Sequence, residues 1–173
     1  IRKMTEQDSN RVLEIYKMGI ETRNATFETA VPSWEDWDAG HLKHSRFVFT
    51  DNGKVLGWVA LSPVSSRSAY QGVAEISVYI DTNTTGKGIG SLLMYKVIAS
   101  SEENGIWTLY SSIFPENTAT LKLHEKFGFR MIGTRQRIAQ MDGKWRDTIQ
   151  WKGAALVQEY DTGAEFYLKL HFR

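Results

Sequence analysis

The chain contains no cysteine. Disulfides, thiolate zinc sites and a cysteine nucleophile are excluded together. It has four histidines, His41, His44, His124 and His171, scattered along its length. His41 and His44 stand three apart and can share a helix face. No carboxylate accompanies them, so a solvated surface is expected there and no metal site. No run of about 18 apolar residues occurs, which excludes a spanning helix. The net charge of +1 offers no field to draw in nucleic acid or a membrane surface. Repeats and low-complexity segments are lacking. The first residues carry no signal-peptide pattern, so a cytoplasmic protein is expected. What is present, 173 residues of which 42% are hydrophobic, suits one domain with a full core.

Periodicity and turn signals divide the chain. Residues 1–4 read as a strand. Thr5 or Asp8 caps a helix over about Ser9–Glu21, with Val12, Leu13, Ile15, Tyr16 and Ile20 as its apolar stripe. Thr22–Pro32 is a loop. Ser33 and Asp36 form a capping box that opens a second helix to about His44. Arg46–Thr50 and Lys54–Leu61 are strands joined at Asp51-Asn52-Gly53. Ser62–Gly72 is a loop, and Val73–Asp81 is the central strand. A helix over Gly88–Glu103, a strand over Trp107–Ile113 and a helix over Asn117–Lys126, ended by Gly128, follow. Arg130–Gln140 and Trp145–Gln150 close as a hairpin around Asp142-Gly143. The class is α+β.

The densest signal follows the central strand. Gly86, Gly88 and Gly90 fall within five residues at the start of a helix. Glycines let backbone approach a ligand, and a helix N-terminus adds unpaired N–H groups and a positive dipole end. Together these bind phosphate. A Walker A loop requires lysine before Ser91, and Gly90 stands there instead. A dinucleotide fingerprint would place its third glycine at Ser91 or Leu93. In the strand, Ile76, Val78 and Ile80 alternate with Glu75, Ser77 and Tyr79, so the first set is core and the second faces the other layer.

A Gly-x-Gly-x-Gly loop after a Val/Ile-rich strand resembles the pyrophosphate loop of the GNAT N-acetyltransferases, although the family's usual Arg or Gln is replaced by Thr85. Further motifs resemble one branch, the phosphinothricin and methionine sulfoximine N-acetyltransferases. They are Ala25-Thr-Phe-Glu-Thr29, Ser62–Tyr70, Ala74–Ile80, Asn117 with His124 and Gly128-Phe129, and Met141–Asp147. The resemblance spans residues 1–150 as one domain. It implies a central mixed, mostly antiparallel sheet flanked by helices, acetyl-CoA as co-substrate, a small amino-acid-like acceptor and a homodimer.

It also implies roles. Glu75 matches the catalytic glutamate, and His124 a second catalytic position; an ammonium must lose a proton before it attacks, so a nearby base is required. Whether His124 gives or takes a proton stays open. Val78, Tyr79 and Ile80 would pair with the pantetheine arm, where backbone N–H groups can polarise the thioester carbonyl. Asn117 would reach the pantetheine amides, and Gly86, Lys87, Gly88, Ile89, Gly90 and Ser91 would hold the diphosphate. Arg67, with Tyr70, would hold an anionic group of the acceptor. Phe27 and Glu28 would cover the acceptor site. With no cysteine to carry an acyl group, transfer would be direct in a ternary complex. Two alternatives stay open: another amine as acceptor (a polyamine, an aminoglycoside or a protein N-terminus), or an acyl-CoA sensor without activity. Residues 151–173 depart from the pattern as an extension that could add an edge strand.

Overall fold

A computed structural model describes residues 1–154, with Ala154 described by its backbone alone. The chain runs β1 (Arg2–Lys3), α1 (Ser9–Glu21), α2 (Trp34–Gly40), β2 (Phe47–Asp51), β3 (Lys54–Pro63), β4 (Val73–Ile80), α3 (Ile89–Glu103), β5 (Thr108–Ile113), α4 (Thr118–Lys126), β6 (Arg130–Met141) and β7 (Lys144–Ala154). The expectation about the tail 155–173 lies outside the described residues.

One mixed sheet takes the order β1-β2-β3-β4-β5-β7-β6. All its pairs are antiparallel except β4 with β5. The alternation read in β4 is seen in its neighbour as well. Val59 and Leu61 enter the core against α3, which supplies Leu93, Met94 and Val97. Trp58 and Ala60 enter a second core beneath α1 and α2, with Val12, Ile15 and Trp37. Strand period places successive side chains in opposite layers, so each face of the sheet is covered by helices. In β4, Ile76 is buried in the first core, Val78 and Ile80 pack against it, and Tyr79 packs against the second.

The β4–β5 pair sets up the site. Its register runs Val73 with Thr108, Ala74 with Leu109 and Glu75 with Tyr110, and stops there. Beyond Glu75, β4 keeps only its β3 partner among the described residues, down to Gly57 opposite Ile80. Beyond Tyr110, β5 keeps only β7. The strands part, and the β5-facing backbone edge of Ile76–Ile80 borders a gap.

Three local expectations are corrected. The second helix ends at Gly40 rather than near His44. Its last carbonyls are taken by the following segment: the Asp38 carbonyl accepts from Arg46 Nη2 at 2.9 Å and from Lys43 Nζ at 3.2 Å, and the His41 carbonyl accepts from Arg46 Nη2 at 2.5 Å. Side chains satisfy the helix end, so the chain turns extended at His41. His41 is therefore not on a solvated helix face with His44. Its ring stacks on Trp37 at 4.0 Å, and Nδ1–H donates to the Trp37 carbonyl at 2.6 Å. Burial lowers its pKa from the ordinary value. The hairpin strands also run longer than read: β3 continues through Ser62 to Pro63, and β7 continues past Gln150 to Ala154.

Candidate active site

A cleft of about 790 Å³ opens where β4 and β5 part. That volume lies within the usual range for a small-molecule site. Glu75 stands at the last paired position and lines it. Burial raises the Glu75 pKa above the ordinary carboxylate value, partly opposed by the charge of Arg135 and a hydrogen bond from the Ser112 backbone N–H. A carboxylate held this way is a better base than one in water.

His124 lies on α4 and is 1% exposed. Its Nδ1–H donates to the Thr120 carbonyl at 2.8 Å, one turn earlier. A carbonyl can only accept, so this bond fixes the neutral tautomer with the lone pair on Nε2. Nε2 is buried without a hydrogen-bond partner among the described residues, and the residue lines the cleft. The ring meets Phe129 edge-on at 4.9 Å. Burial lowers its pKa, so the ring is neutral at neutral pH and offers an acceptor.

The α1–α2 loop lines the cleft through Thr22 and Asn24 to Glu28. Asn117 caps α4 by accepting from the Thr120 N–H at 3.2 Å, and its Nδ2 donates to the Asn24 carbonyl at 2.9 Å. Phe27 packs edge-on against Phe114 at 4.7 Å. Phe27, Glu28 and Asn117 all line the cleft. The wall beneath them is aromatic. Tyr79 stacks on Trp58 at 4.8 Å and meets Tyr16 edge-on at 5.0 Å. Burial pushes the Tyr79 hydroxyl far above its ordinary pKa, so it stays protonated.

At the far end of β4, Asp81 starts the glycine loop. It is buried, pairs with Arg11 of α1, and accepts from the Asn83 N–H at 2.9 Å. Gly86 and Gly88 have φ of +80° and +77°, and a Cβ at either would meet nothing within 4 Å. The loop is thus open to a ligand and shaped by conformations that favour glycine. Gly88 caps α3, leaving the N–H groups of Ile89, Gly90 and Ser91 at the helix start. Gly90 has a further job. A Cβ there would lie 3.3 Å from Leu123 Cδ2, so its small size lets α4 close against α3. Ser91 Oγ accepts from Lys126 Nζ at 3.2 Å. These features fit a diphosphate at the loop and an extended pantetheine along the free β4 edge, which Val78, Tyr79 and Ile80 border.

Glu75, His124, Val78, Tyr79, Ile80, Asn117, Phe27 and Glu28 line this cleft, which reaches Thr85 but not the glycine-loop residues 86–91. Arg67 and Tyr70 lie elsewhere. Both are exposed in the β3–β4 loop, the guanidinium lying over the Tyr70 ring at 5.7 Å, and neither lines the cleft. Conversely, Arg135, Ile138, Ala139, Thr148, Ser111 and Ser112 line it and carry no motif. Of these, β6 supplies three through a bulge. Arg135 pairs with Thr148 and Ala139 with Arg146, so β6 holds two more residues than β7. Arg137, at φ +49°, donates its N–H to Asp147 Oδ1 at 2.8 Å within it. Bulges re-aim side chains at strand edges beside functional sites.

Comparison with known proteins agrees with this geometry. The Acetyltransferase (GNAT) family model matches residues 10–129. The chain belongs to the GNAT acetyltransferase family. It is 37% identical over 153 residues to YwnH of Bacillus subtilis (strain 168), named provisionally as a phosphinothricin acetyltransferase; the match covers 85% of this chain and 93% of that protein. A 95-residue stretch is 30% identical to the L-methionine sulfoximine/L-methionine sulfone acetyltransferase of Pseudomonas paraeruginosa, covering 55% of each. The crystal structure of a phosphinothricin acetyltransferase from Sinorhizobium meliloti in complex with AcCoA superposes with a TM-score of 0.80 at 25% identity, covering 88% of this chain and 86% of that one. The chain therefore falls in the phosphinothricin and methionine sulfoximine branch of the GNAT enzymes, with acetyl-CoA as acyl donor. No described helix is long and apolar enough to cross a membrane.

Proposed function

We propose that this enzyme acetylates the α-amine of a small amino acid or analogue of the phosphinothricin, methionine sulfoximine or methionine sulfone type, by direct transfer in a ternary complex. The observation that carries this reading is the parting of β4 and β5 at Glu75. That parting supplies a free backbone edge for the donor and a raised-pKa carboxylate beside the gap.

The roles follow from chemistry. The free N–H groups at the start of α3 and the open loop at Gly86 and Gly88 receive phosphate oxygens. The β4 edge at Val78–Ile80 aligns the thioester arm, and an N–H there stabilises charge developing on the carbonyl oxygen. Glu75 removes the ammonium proton, directly or through water. His124 is neutral with its lone pair on Nε2, so it takes the second proton, which the nitrogen sheds after attacking the carbonyl. Once charged, it can return that proton to the departing sulfur. Asn117, already a cap on α4, offers an amide near the donor arm. Phe27 and Glu28 close the acceptor side. A homodimer, cytoplasmic location and a single catalytic domain over about residues 1–150 complete the reading.

The test is release of free coenzyme A across an acceptor panel: phosphinothricin, methionine sulfoximine, methionine sulfone, ordinary amino acids, spermidine and an aminoglycoside. Saturable turnover confined to amino acids and their analogues is expected. Turnover confined to the polyamine or aminoglycoside would overturn the acceptor class.

A further inference from the structure

Among the described residues, the cleft between β4 and β5 is lined by one guanidinium and no lysine, and the guanidinium is that of Arg135. The hairpin register places it there. Cα partners across an antiparallel pair point to the same face, and the partner of Arg135 is Thr148, buried in the cleft wall. The bulge at Arg137 decides which arginine stands opposite Thr148. The register between the turn and the bulge pairs Ala139 with Arg146, and continued without a break it would put Arg137 at that position. The two extra residues bring Arg135 instead.

Arg135 is also unspent. Arg2, Arg11, Arg23, Arg46 and Arg146 each pair with a carboxylate. The Arg135 guanidinium makes no hydrogen bond or ion pair with the side chain of any described residue. It lies close enough to Glu75 for its charge to act on that carboxylate. A diphosphate is the wrong occupant for this position. The glycine loop begins beyond Ile80, and five strand steps from Glu75 to Ile80 cover roughly 16 Å.

We propose that Arg135 is a specificity-determining residue: its guanidinium holds the carboxylate of the acceptor and so sets the amine beside Glu75. The inference rests on the amino-acid reading of the site. A guanidinium offers two parallel N–H donors that match a planar carboxylate, a geometry a lysine does not reproduce. In an α-amino acid the amine and carboxylate share one carbon, so fixing the carboxylate fixes the nitrogen within a few bond lengths. Arg67, which sequence motifs favour for this task, is exposed outside the cleft.

The experiment compares methionine sulfone with its carboxamide in wild type, Arg135→Gln and Arg135→Lys, alongside acetyl-CoA affinity. Wild type is expected to prefer the acid. Arg135→Gln should lose on the order of 10- to 100-fold in kcat/KM on the acid, mostly through KM, the scale of a lost charged hydrogen-bond pair. Measured at a pH above the acid limb of each enzyme, where Glu75 is ionised in both, the carboxamide should lose far less than the acid and acetyl-CoA affinity should hold, and Arg135→Lys should recover part of the loss. A merely structural arginine would move both acceptors together. Equal loss on both, or none, overturns the role of Arg135 while the amino-acid reading stands. If wild type acetylates spermidine and neither sulfone substrate, the reading falls and the inference with it.

Discussion

His124→Phe separates a catalytic histidine from a structural one. The substitution keeps a flat ring at a buried position and removes both nitrogens. On stability the terms oppose each other. The bond from Nδ1–H to the Thr120 carbonyl, 2.8 Å long, is lost, at about 1 kcal/mol. The larger ring strains a packed site by about 1–3 kcal/mol. Against this, the unpartnered Nε2 disappears from the interior, and relieving a buried unsatisfied polar atom returns about 1–3 kcal/mol. The edge-on contact with Phe129 is kept. The net change should fall between about 1 kcal/mol of stabilisation and about 3 kcal/mol of destabilisation. On catalysis nothing compensates. A positioned proton acceptor contributes about 10²- to 10⁴-fold, so kcat/KM should fall by that order. Urea unfolding and coenzyme A release on the same preparation give both numbers. A stability loss above about 4 kcal/mol with activity retained would refute the reasoning and make His124 a core residue.

Four other outcomes follow from the same geometry. The base must be ionised to act, and burial raises the Glu75 pKa, so activity should climb with pH through a value above the ordinary glutamate range. Arg135 faces Glu75 from β6, Tyr79 shares its strand and the Ser112 N–H comes from β5; since the charge of Arg135 holds this pKa down, Arg135→Gln should move the acid limb to higher pH. A raised folded-state pKa means that the native state binds the proton more readily than the unfolded chain. Stability therefore falls as pH rises through that window, and Glu75→Gln should raise the melting temperature at neutral pH. In the glycine loop, Gly88→Ala forces a φ of +77° on a residue with a Cβ but meets no atom within 4 Å. It should cost about 1 kcal/mol from conformation alone and weaken acetyl-CoA binding, read by calorimetry, with unfolding otherwise unchanged.

The sequence carried the parts of this molecule that depend on local patterns. Alternation in Val73–Ile80 assigned Ile76 and Tyr79 to opposite layers, and both are found there. Ser33 accepts from the Asp36 N–H at 3.1 Å as the capping pattern required. Glu75 and His124, singled out by motif, both line one cleft. What escaped depends on contacts between distant segments. The end of α2 is set by Lys43 and Arg46 reaching back to Asp38 and His41, which no helical period reveals. His41 is half-buried because its ring stacks on Trp37, a consequence of that same ending. Gly90 has the look of a ligand-binding glycine, yet its side also faces Leu123. Arg135 was hidden by the bulge. Counting pairs from the Asp142-Gly143 turn puts Arg137 opposite Thr148, and a two-residue insertion on one strand leaves the alternation of faces intact.

The central claim is that acetyl transfer occurs where β4 and β5 part, with Glu75 as base. It is tested most directly by measuring turnover and acetyl-CoA affinity together for Glu75→Gln at neutral pH. The account predicts turnover lower by on the order of 10²-fold or more with acetyl-CoA affinity unchanged. Turnover equal to wild type at unchanged affinity would contradict it and remove Glu75 from the chemistry.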